Sequence, residues 1–485
     1  MSFNNKDKDK FKKDLFKTLI VVKNVISVTL VGSFWKKDNL KDFSDIDIVI
    51  ILKNINKEKF QECLNKINKI DLSKYNLGHL KLLLNPTFGP LKFDNKDNIV
   101  FHTMIYDIKS HIEHVIKSPF TCYDWERSLD FKGLPLKKIF PVGKIQLDDF
   151  FLSRRGVKDY IANIKNNYIF YQKYELKNNL LILKKKKYKI DERHKVEFTY
   201  HLFKFLIINL HKFENQKNII PNDREIKVLF KKIFDKDYIY YLKNFLLLKK
   251  IKNRKIINYK YFSLYFIQKF INNFENYLNT YKIQKIIFLR HGKTMLNDGT
   301  FLGIARNPGI IKNKKIINDL KFIKKDKIKI LFSSNLRRSL ETAKLISNDY
   351  NYQISKHLNE KNYGKAEGLN YQQFKKKYPN IIKKWFNKKD PRFPSGENDT
   401  DVLRRINLFK KKLISSVNKD KNVGFIVVIS HNALLRCLIG ESLAIPKDMW
   451  VKINIDHCEP INFILKNNMI LPNFDRKNFF KDLII

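Results

Sequence analysis

The stretch KIIFLRHGKTMLN, Lys285 to Asn297, opens on a short apolar run and breaks into Arg290-His291-Gly292 where the run ends. Two later stretches have the same form. KIKILFSSNLRRSLETA, Lys327 to Ala343, runs into Ser333-Ser334 and a basic helix start carrying Arg337 and Arg338, and GFIVVISHNALLRCLIG, Gly424 to Gly440, runs into Ser430-His431. Short apolar runs alternating with helical segments predict an α/β domain with a largely parallel sheet. All three charged clusters then sit just past the C-terminal ends of buried strands, where open α/β sheets build their ligand crevice. Two histidines and two arginines, His291, His431, Arg290 and Arg338, converge there as an anion pocket. A phosphoryl group suits it, because guanidinium forks match phosphate oxygens and a neutral imidazole can attack phosphorus.

These residues resemble the histidine phosphatase superfamily, which includes cofactor-dependent phosphoglycerate mutase and fructose-2,6-bisphosphatase. Arg290, His291, Gly292 and Thr294, followed by Asn297, match its first motif, and Ser334, Leu336, Arg338, Thr342 and Ala343 match its second element. Leu358, Glu360, Gly364, Glu367 and Gly368 follow, then Pro394, Gly396, Glu397 and Arg405, and finally Ser430, His431 and Arg436. The resemblance implies a three-layer α/β/α domain over residues 281–485. It implies that His291 is the nucleophile forming a phosphohistidine, that Arg290, Arg338 and His431 hold the phosphoryl oxygens, and that Thr294 and Asn297 line the pocket. Glu360 would protonate the leaving oxygen and then activate water, with no metal or other cofactor in this half. Glu367 lies nearby in the pattern as a support for its loop. Asn432 stands where Gly is common, Ala366 replaces a frequent Trp, and Asn307-Pro308-Gly309 is a degraded form of a Pro-Leu-Thr element. The stretch between Glu360 and His431 is short for a mutase, so phosphatase is preferred, with mutase-type activity as an alternative.

The first part of the chain carries a second constellation. In VTLVGSFWKKDNLKDFSDIDIVIIL, a strand ends in Gly32-Ser33 and a later strand carries Asp45-Ile46-Asp47-Ile48. Alternation on a strand puts Asp45 and Asp47 on one face and Ile46 and Ile48 in the core. Paired carboxylates beside a Gly-Ser turn suit divalent cations holding a triphosphate for in-line attack. Gly32 lets the backbone approach phosphate and Ser33 can donate to it. Carboxylates kept on an edge strand for solubility are the plainer reading. The order Gly-Ser, spacer, Asp-x-Asp is similar to the nucleotidyltransferase superfamily typified by DNA polymerase beta. That resemblance implies Mg2+ bound by Asp45 and Asp47, a nucleoside triphosphate substrate, and a third metal carboxylate on a later strand. Asp107 is the first choice for it and Asp94 the second. His102 is a lone strand histidine, more often structural than a substrate contact.

Residues 1–145 are thus expected to form an α/β nucleotidyltransferase-like domain and residues 146–280 an all-α middle. The helical spacing of Phe198, Leu202, Phe205 and Leu206 in VEFTYHLFKFLIINLHKF supports the latter. A chain of 485 residues holds several domains of the usual ~150 residues. Its 44% hydrophobic content and 15 Gly with 13 Pro exclude collagen-like, low-complexity and wholly disordered classes. Four cysteines without paired spacing argue for a reducing, cytoplasmic setting rather than disulfides or a zinc knuckle. The polar start MSFNNKDKDK lacks an apolar signal core, and no stretch approaches the roughly 18 uninterrupted apolar residues of a membrane span. The formal charge is +48, from 96 Lys and Arg against 48 Asp and Glu. Such charge suggests RNA or another polyanion. Here it is diffuse, with Lys interleaved among Asn, Ile, Phe and Tyr throughout, as biased codon usage would produce. The expected function is therefore bifunctional: metal-dependent nucleotidyl transfer and phosphomonoester hydrolysis on phosphorylated small molecules. A contrasting alternative is an RNA-binding nucleotidyltransferase that modifies RNA ends, gripping RNA through LKKKKYKI at residues 183–190.

Overall fold

The computed structural model describes residues 4–32, 45–85, 98–177, 180–216, 220–251, 264–281, 283–347, 352–387, 390–419, 424–466 and 468–476. Two compact units divide the chain, Met1–Thr280 and Tyr281–Ile485. The expected boundary at residue 145 falls inside the first.

The first unit opens with α1 (Asn5–Ile20), started by a reciprocal cap between Asn4 and Asp7 and burying Phe11, Leu15 and Leu19 at four-residue spacing. There follow β1 (Val25–Val31), β2 (Asp45–Leu52), α2 (Lys57–Asn68), β3 (Lys81–Asn85) and β4 (Asn98–Asp107), then α3 (Ile108–Lys117), α4 (Pro119–Trp125) and β5 (Phe131–Gly133). The sheet order is β3-β4-β2-β1-β5, with β3, β4 and β2 parallel and β1 antiparallel to both neighbours. Alternation along β2 works as expected. Ile46, Ile48, Ile50 and Leu52 are buried in one cluster with Phe11, Leu15, Phe60 and Cys63 of α1 and α2. Val49 and Ile51, on the opposite face, are also fully buried. A strand covered on both faces reads as a nearly continuous apolar run, which DIDIVIIL is.

The middle continues with α5 (Leu136–Ile139), α6 (Leu147–Asn166), β6 (Tyr168–Lys177), β7 (Leu180–Lys189), α7 (Glu192–Asn215), α8 (Asp223–Phe234), α9 (Tyr238–Ile251) and α10 (Leu264–Asn279). It is mainly helical and welded by aromatic rings. Phe203 of α7 stacks on Phe270 of α10 at 3.7 Å, and Phe234 of α8 on Tyr241 of α9 at 4.1 Å. One expectation needs correcting: the region is not all-α. YIFYQKYELK and LLILKKKKYK pair as an antiparallel hairpin in register from Tyr168 opposite Lys189 to Lys177 opposite Leu180. The lysine-rich segment is therefore strand for most of its length and not helix. Its aromatic and aliphatic content fits either period over so short a run, and cross-strand pairing decides for the sheet.

The second unit contains β8 (Gln284–Arg290), α11 (Lys314–Asp319), β9 (Ile328–Ser333), α12 (Arg337–Ile346), β10 (Gln353–Ile354), α13 (Tyr371–Lys377), α14 (Pro379–Phe386), α15 (Asp399–Lys419), β11 (Phe425–Ser430), α16 (Asn432–Ser442), β12 (Pro460–Lys466) and β13 (Met469–Pro472). Its sheet runs β10-β9-β11-β8-β12-β13. The first four strands are parallel, and β12 and β13 close one edge antiparallel. One face packs Leu289, Leu331, Val427 and Ile429 on Ile316, Leu320, Ala343 and Ile346 from the segment around α11 and from α12. On the other, Phe332 meets Phe409 of α15 edge-on at 5.2 Å. Helices on both faces make the three layers. Register then fixes the site, because Ser430 aligns with Arg290 and Ile429 with Ser333, so the three strands end level. No helix among the described residues is long and apolar enough to cross a membrane.

Phe332→Ala should destabilise this unit by about 3–5 kcal/mol, whereas Phe332→Leu should cost less than about 1.5 kcal/mol. Urea unfolding of the full chain checks this. Two equal, small losses would contradict the packing of β9 on α15.

Candidate functional site

Where β8, β9 and β11 end together, their last residues turn charged and polar. His291 follows β8, with its N–H donating to the Ser430 carbonyl at 3.0 Å. The Gly292 N–H donates to Thr342 Oγ1 on α12 at 2.9 Å, which ties this turn to the helix. Arg338, on the first turn of α12, is fully buried, and His431 stands at the start of α16, also fully buried. His291 is only 3% exposed. The structure thus brings His291, His431, Arg290, Arg338 and Glu360 into one electrostatic neighbourhood.

The hydrogen bonds assign the imidazole protons. His291 Nδ1 lies 2.7 Å from the Gly292 carbonyl, which can only accept, so Nδ1 carries the proton and Nε2 keeps its lone pair. That lone pair receives the Arg338 Nε–H at 3.1 Å. The same N–H is shared with His431 Nδ1 at 3.2 Å, so His431 is protonated on Nε2, which donates to Ser334 Oγ at 2.7 Å. Both rings are neutral. Burial pushes the His291 pKa well below its usual value, with Arg338 adding to the shift, and His431 is lowered by burial, then by His291 and Arg338.

Arg338 is held without a carboxylate. Its Nη2 donates to the Gly303 carbonyl at 2.8 Å and its Nη1 to the Arg306 carbonyl at 3.3 Å. Glu367 in turn accepts from the N–H groups of Ile304 at 2.8 Å and Arg306 at 2.9 Å, and from that of Ala305. A side chain at Gly303 would collide with that carboxylate. Glu367 therefore builds the loop whose carbonyls aim Arg338. Arg290 donates from Nη1 to the Ile455 carbonyl at 2.7 Å, while its Nε is buried with no hydrogen-bond partner among the described residues. An unsatisfied buried donor at this position is a place for a ligand anion. Burial lowers the Arg290 pKa to about 10, opposed by Glu360.

Glu360 is buried, and its carboxylate accepts from its neighbour Lys361 N–H at 2.8 Å and from the Ala433 N–H of α16 at 3.1 Å. Beneath it, Arg405 grips Glu397 through two nitrogens at 2.7 and 2.9 Å and donates to the carbonyls of His357 and Asn359. Thr294 donates from both N and Oγ1 to Asn297 Oδ1, at 2.7 and 3.1 Å, placing the two residues side by side after His291.

His457 is a neighbour that the motifs do not indicate. Its Nδ1 donates to the His291 carbonyl at 2.7 Å and its ring lies 5.4 Å from that of His291. Burial, then Arg290, lowers its pKa to about 4. Only the pairing of β12 with β8 brings it here, so no local spacing announces it.

In the first unit, Gly32 follows β1 with φ +76°, and a side chain there would collide with the Asp47 carboxylate. Turn and carboxylate thus touch, as Val31 pairing with Asp47 requires. Asp45 begins β2 two residues earlier. Ser33 and Asp94 lie outside the described residues. Asp107 is placed elsewhere. It pairs with Leu52 while Asp47 pairs with His102, so it lies five residues further along β4, roughly 16 Å away at the usual rise. There it caps α3, accepting from Ser110 N at 2.8 Å. It cannot join Asp45 and Asp47 at a metal, and its cap position after a strand is what local sequence alone cannot tell from a ligand position. The residue of β4 that register sets beside Asp47 is His102.

Comparison with known proteins finds a family for a part of each unit. The family described as histidine phosphatase superfamily (branch 1) matches residues 286–468, and the nucleotidyltransferase domain family matches residues 10–106. A 2,3-bisphosphoglycerate-dependent phosphoglycerate mutase 2 of Gloeobacter violaceus is 26% identical over 193 residues, 37% of this chain and 84% of that protein. A 6-phosphofructo-2-kinase/fructose-2,6-bisphosphatase of Gallus gallus is 29% identical over 34% of this chain, and a fructose-2,6-bisphosphatase of Saccharomyces cerevisiae 27% identical over 31% of it. The match spans about a third of each of those two proteins, 34% and 33%. Among solved structures, the alpha-ribazole phosphatase from Shigella flexneri is 19% identical, with 40% of this chain and 97% of that chain covered and a TM-score of 0.34. A mycobacterial glucosyl-3-phosphoglycerate phosphatase is 20% identical over 38% of this chain and 91% of that one, with a TM-score of 0.34. The chain thus joins an N-terminal nucleotidyltransferase domain to a C-terminal domain of the histidine phosphatase superfamily.

Proposed function

We propose that the C-terminal domain hydrolyses phosphomonoesters through a phosphohistidine on His291. The supporting observation is the tautomer: the Nδ1 proton is spent on the Gly292 carbonyl, so the Nε2 lone pair is the nucleophile and points to Arg338. A phosphoryl group entering here takes the donors of Arg290 and Arg338, with the Asn297 amide beside Thr294 and the neutral His431 ring alongside. His291 Nε2 bonds to phosphorus as the ester P–O bond breaks, and the leaving oxygen takes a proton from Glu360. Water then attacks phosphorus, Glu360 takes its proton, and the P–N bond breaks to free phosphate and the imidazole. The cations neutralise charge on the phosphoryl oxygens in both steps.

For the N-terminal domain we propose nucleotidyl transfer from a nucleoside triphosphate, with Asp45 and Asp47 holding Mg2+, which neutralises triphosphate charge and polarises the attacked phosphorus. Gly32 and Ser33 would approach the phosphates from the turn after β1. We also place both activities in the cytoplasm, in keeping with four buried cysteines that form no disulfide. Transfer to an RNA end is the second reading for this half, with the diffuse positive charge as its only motive.

A panel of phosphorylated metabolites, followed by free phosphate, tests the first activity. His291→Ala should abolish release, and Glu360→Gln should lower kcat by about 10²–10⁴-fold. Hydrolysis that survives His291→Ala would sink the phosphohistidine route, and interconversion of 2- and 3-phosphoglycerate without net hydrolysis would favour a mutase. Asp47→Asn should abolish transfer of label from nucleoside triphosphates to acceptors, including RNA ends, in the presence of Mg2+. Transfer unaffected by the change would remove Asp47 from the metal site.

The neutral imidazoles also have a stability consequence. The folded-state pKa values of His291, His431 and His457 lie below the ordinary 6.5, that of His457 at about 4. Between those values the unfolded chain binds more protons than the folded one. Stability is therefore present above about pH 6.5 and is lost as the pH falls towards 4. Urea midpoints at about pH 7.5 and about pH 5 should differ in that sense, and His291→Gln combined with His431→Gln should flatten the dependence.

A further inference from the structure

Beside the phosphoryl site lies a cavity of about 500 Å³, reached past Ala433, whose N–H holds Glu360, and past Lys361, the next residue after Glu360. A leaving group departing from His291 towards Glu360 would occupy it. Its wall is aromatic: Phe301, Tyr363, Trp385, Phe386, Phe393 and Trp450. Four of these rings are in contact, with Phe301 and Tyr363 at 5.0 Å, Tyr363 and Phe393 at 4.9 Å, and Trp385 and Phe393 at 5.3 Å between centroids. Ala366, fully buried, packs in the cluster beneath several of them.

The charges of this wall cancel. Lys361, Arg436 and Lys447 are matched by Asp390, Asp399 and Asp448. Lys361 is bonded to Asp399, and Lys447 to Asp390 at 3.1 Å. Arg436 spends its Nε on the Ile453 carbonyl at 2.7 Å. A leaving group bearing a second phosphate or a carboxylate would thus meet aromatic side chains and two lysines already paired with aspartates, and would lose its hydration there. A planar, uncharged ring system finds stacking surfaces and enough volume.

We propose that the phosphatase site takes monoesters whose alcohol carries a planar heteroaromatic ring, of the nucleoside 5′-monophosphate class, in preference to sugar bisphosphates or phosphorylated hydroxy acids. This rests on the phosphohistidine reading of the same site. The aromatic wall sets the specificity by stacking, and the pairing of Lys361 and Lys447 with aspartates leaves fewer cations for a second anion.

The test compares kcat/KM of the full chain for adenosine and guanosine 5′-monophosphates with that for glycerol 3-phosphate, 3-phosphoglycerate and fructose 2,6-bisphosphate. The ring-bearing esters should lead by at least about tenfold. Trp385→Ala should bring that ratio close to one, chiefly through KM. Phe386→Ala, at a rim position 73% exposed where truncation removes little packing, should reduce it in the same sense. Equal or faster turnover of the anionic sugar and acid esters, with hydrolysis still abolished by His291→Ala, would overturn the ring preference alone. If none of these esters is hydrolysed, the ring preference and the phosphatase reading fall together.

Discussion

Arg338 is a buried guanidinium shared between two imidazoles, and the rest of the C-terminal site is arranged around keeping it there. A buried cation usually needs a carboxylate close by, since removing charge from water without a partner costs several kcal/mol. Here the direct hydrogen-bond partners are the carbonyls of Gly303 and Arg306 and the lone pairs of His291 and His431. All are neutral acceptors, so the hydrogen bonds are satisfied while the positive charge is not cancelled at contact. An incoming phosphoryl dianion meets a charge already dehydrated and oriented. The acid nearest this arrangement in function, Glu367, acts one step back. It binds the backbone N–H groups of the loop, so its charge fixes the carbonyls that fix the arginine.

The same arrangement explains the neutrality of the histidines. A nucleophilic imidazole must keep a lone pair, and an unshifted histidine is partly protonated near neutral pH. Burial beside Arg338 excludes the proton, and the Gly292 carbonyl then chooses which nitrogen keeps the hydrogen. Gly292 is part of this choice, as its own N–H is held by Thr342 and its carbonyl is thereby aimed at the ring. His291, Gly292, Arg338 and Thr342 are thus a single hydrogen-bonded assembly.

How much of this is legible in the chain differs between the two units for a physical reason. In the C-terminal unit the site residues follow apolar runs directly, so locating the strands locates His291, Ser334 and His431. His457 is invisible to that reasoning because its place depends on antiparallel pairing of β12 with β8. In the N-terminal unit the contact of Gly32 with Asp47 follows from a hairpin-like pair of strands, and the motif predicts it. The third carboxylate is a question of parallel register between β2 and β4, set by packing across the sheet, and Asp107 falls at the wrong end. The hairpin of β6 and β7 escaped for a similar reason: apolar and aromatic residues in short runs suit both periods until a partner strand is present. Chemistry carried within one strand and its following turn can be read locally; chemistry shared by partners distant in sequence cannot.

Net charge has a different bearing once the sites are in view. With 96 basic against 48 acidic residues, the net charge favours approach of anions in general, and long-range attraction of this kind speeds encounter without distinguishing one anion from another. Discrimination must then come from short-range features. At the proposed phosphoryl pocket Arg338 is bonded to carbonyls and imidazoles and not to a carboxylate, which would favour a phosphoryl group. A few ångströms on, the cavity wall pairs its lysines with aspartates and presents ring faces, so local charge is neutral inside a strongly basic protein. Keeping those carboxylates in a chain so poor in acids is itself a constraint, because losing Asp399 would leave the buried Lys361 without its carboxylate, open to a second anion, and would blur the boundary between one phosphate and two.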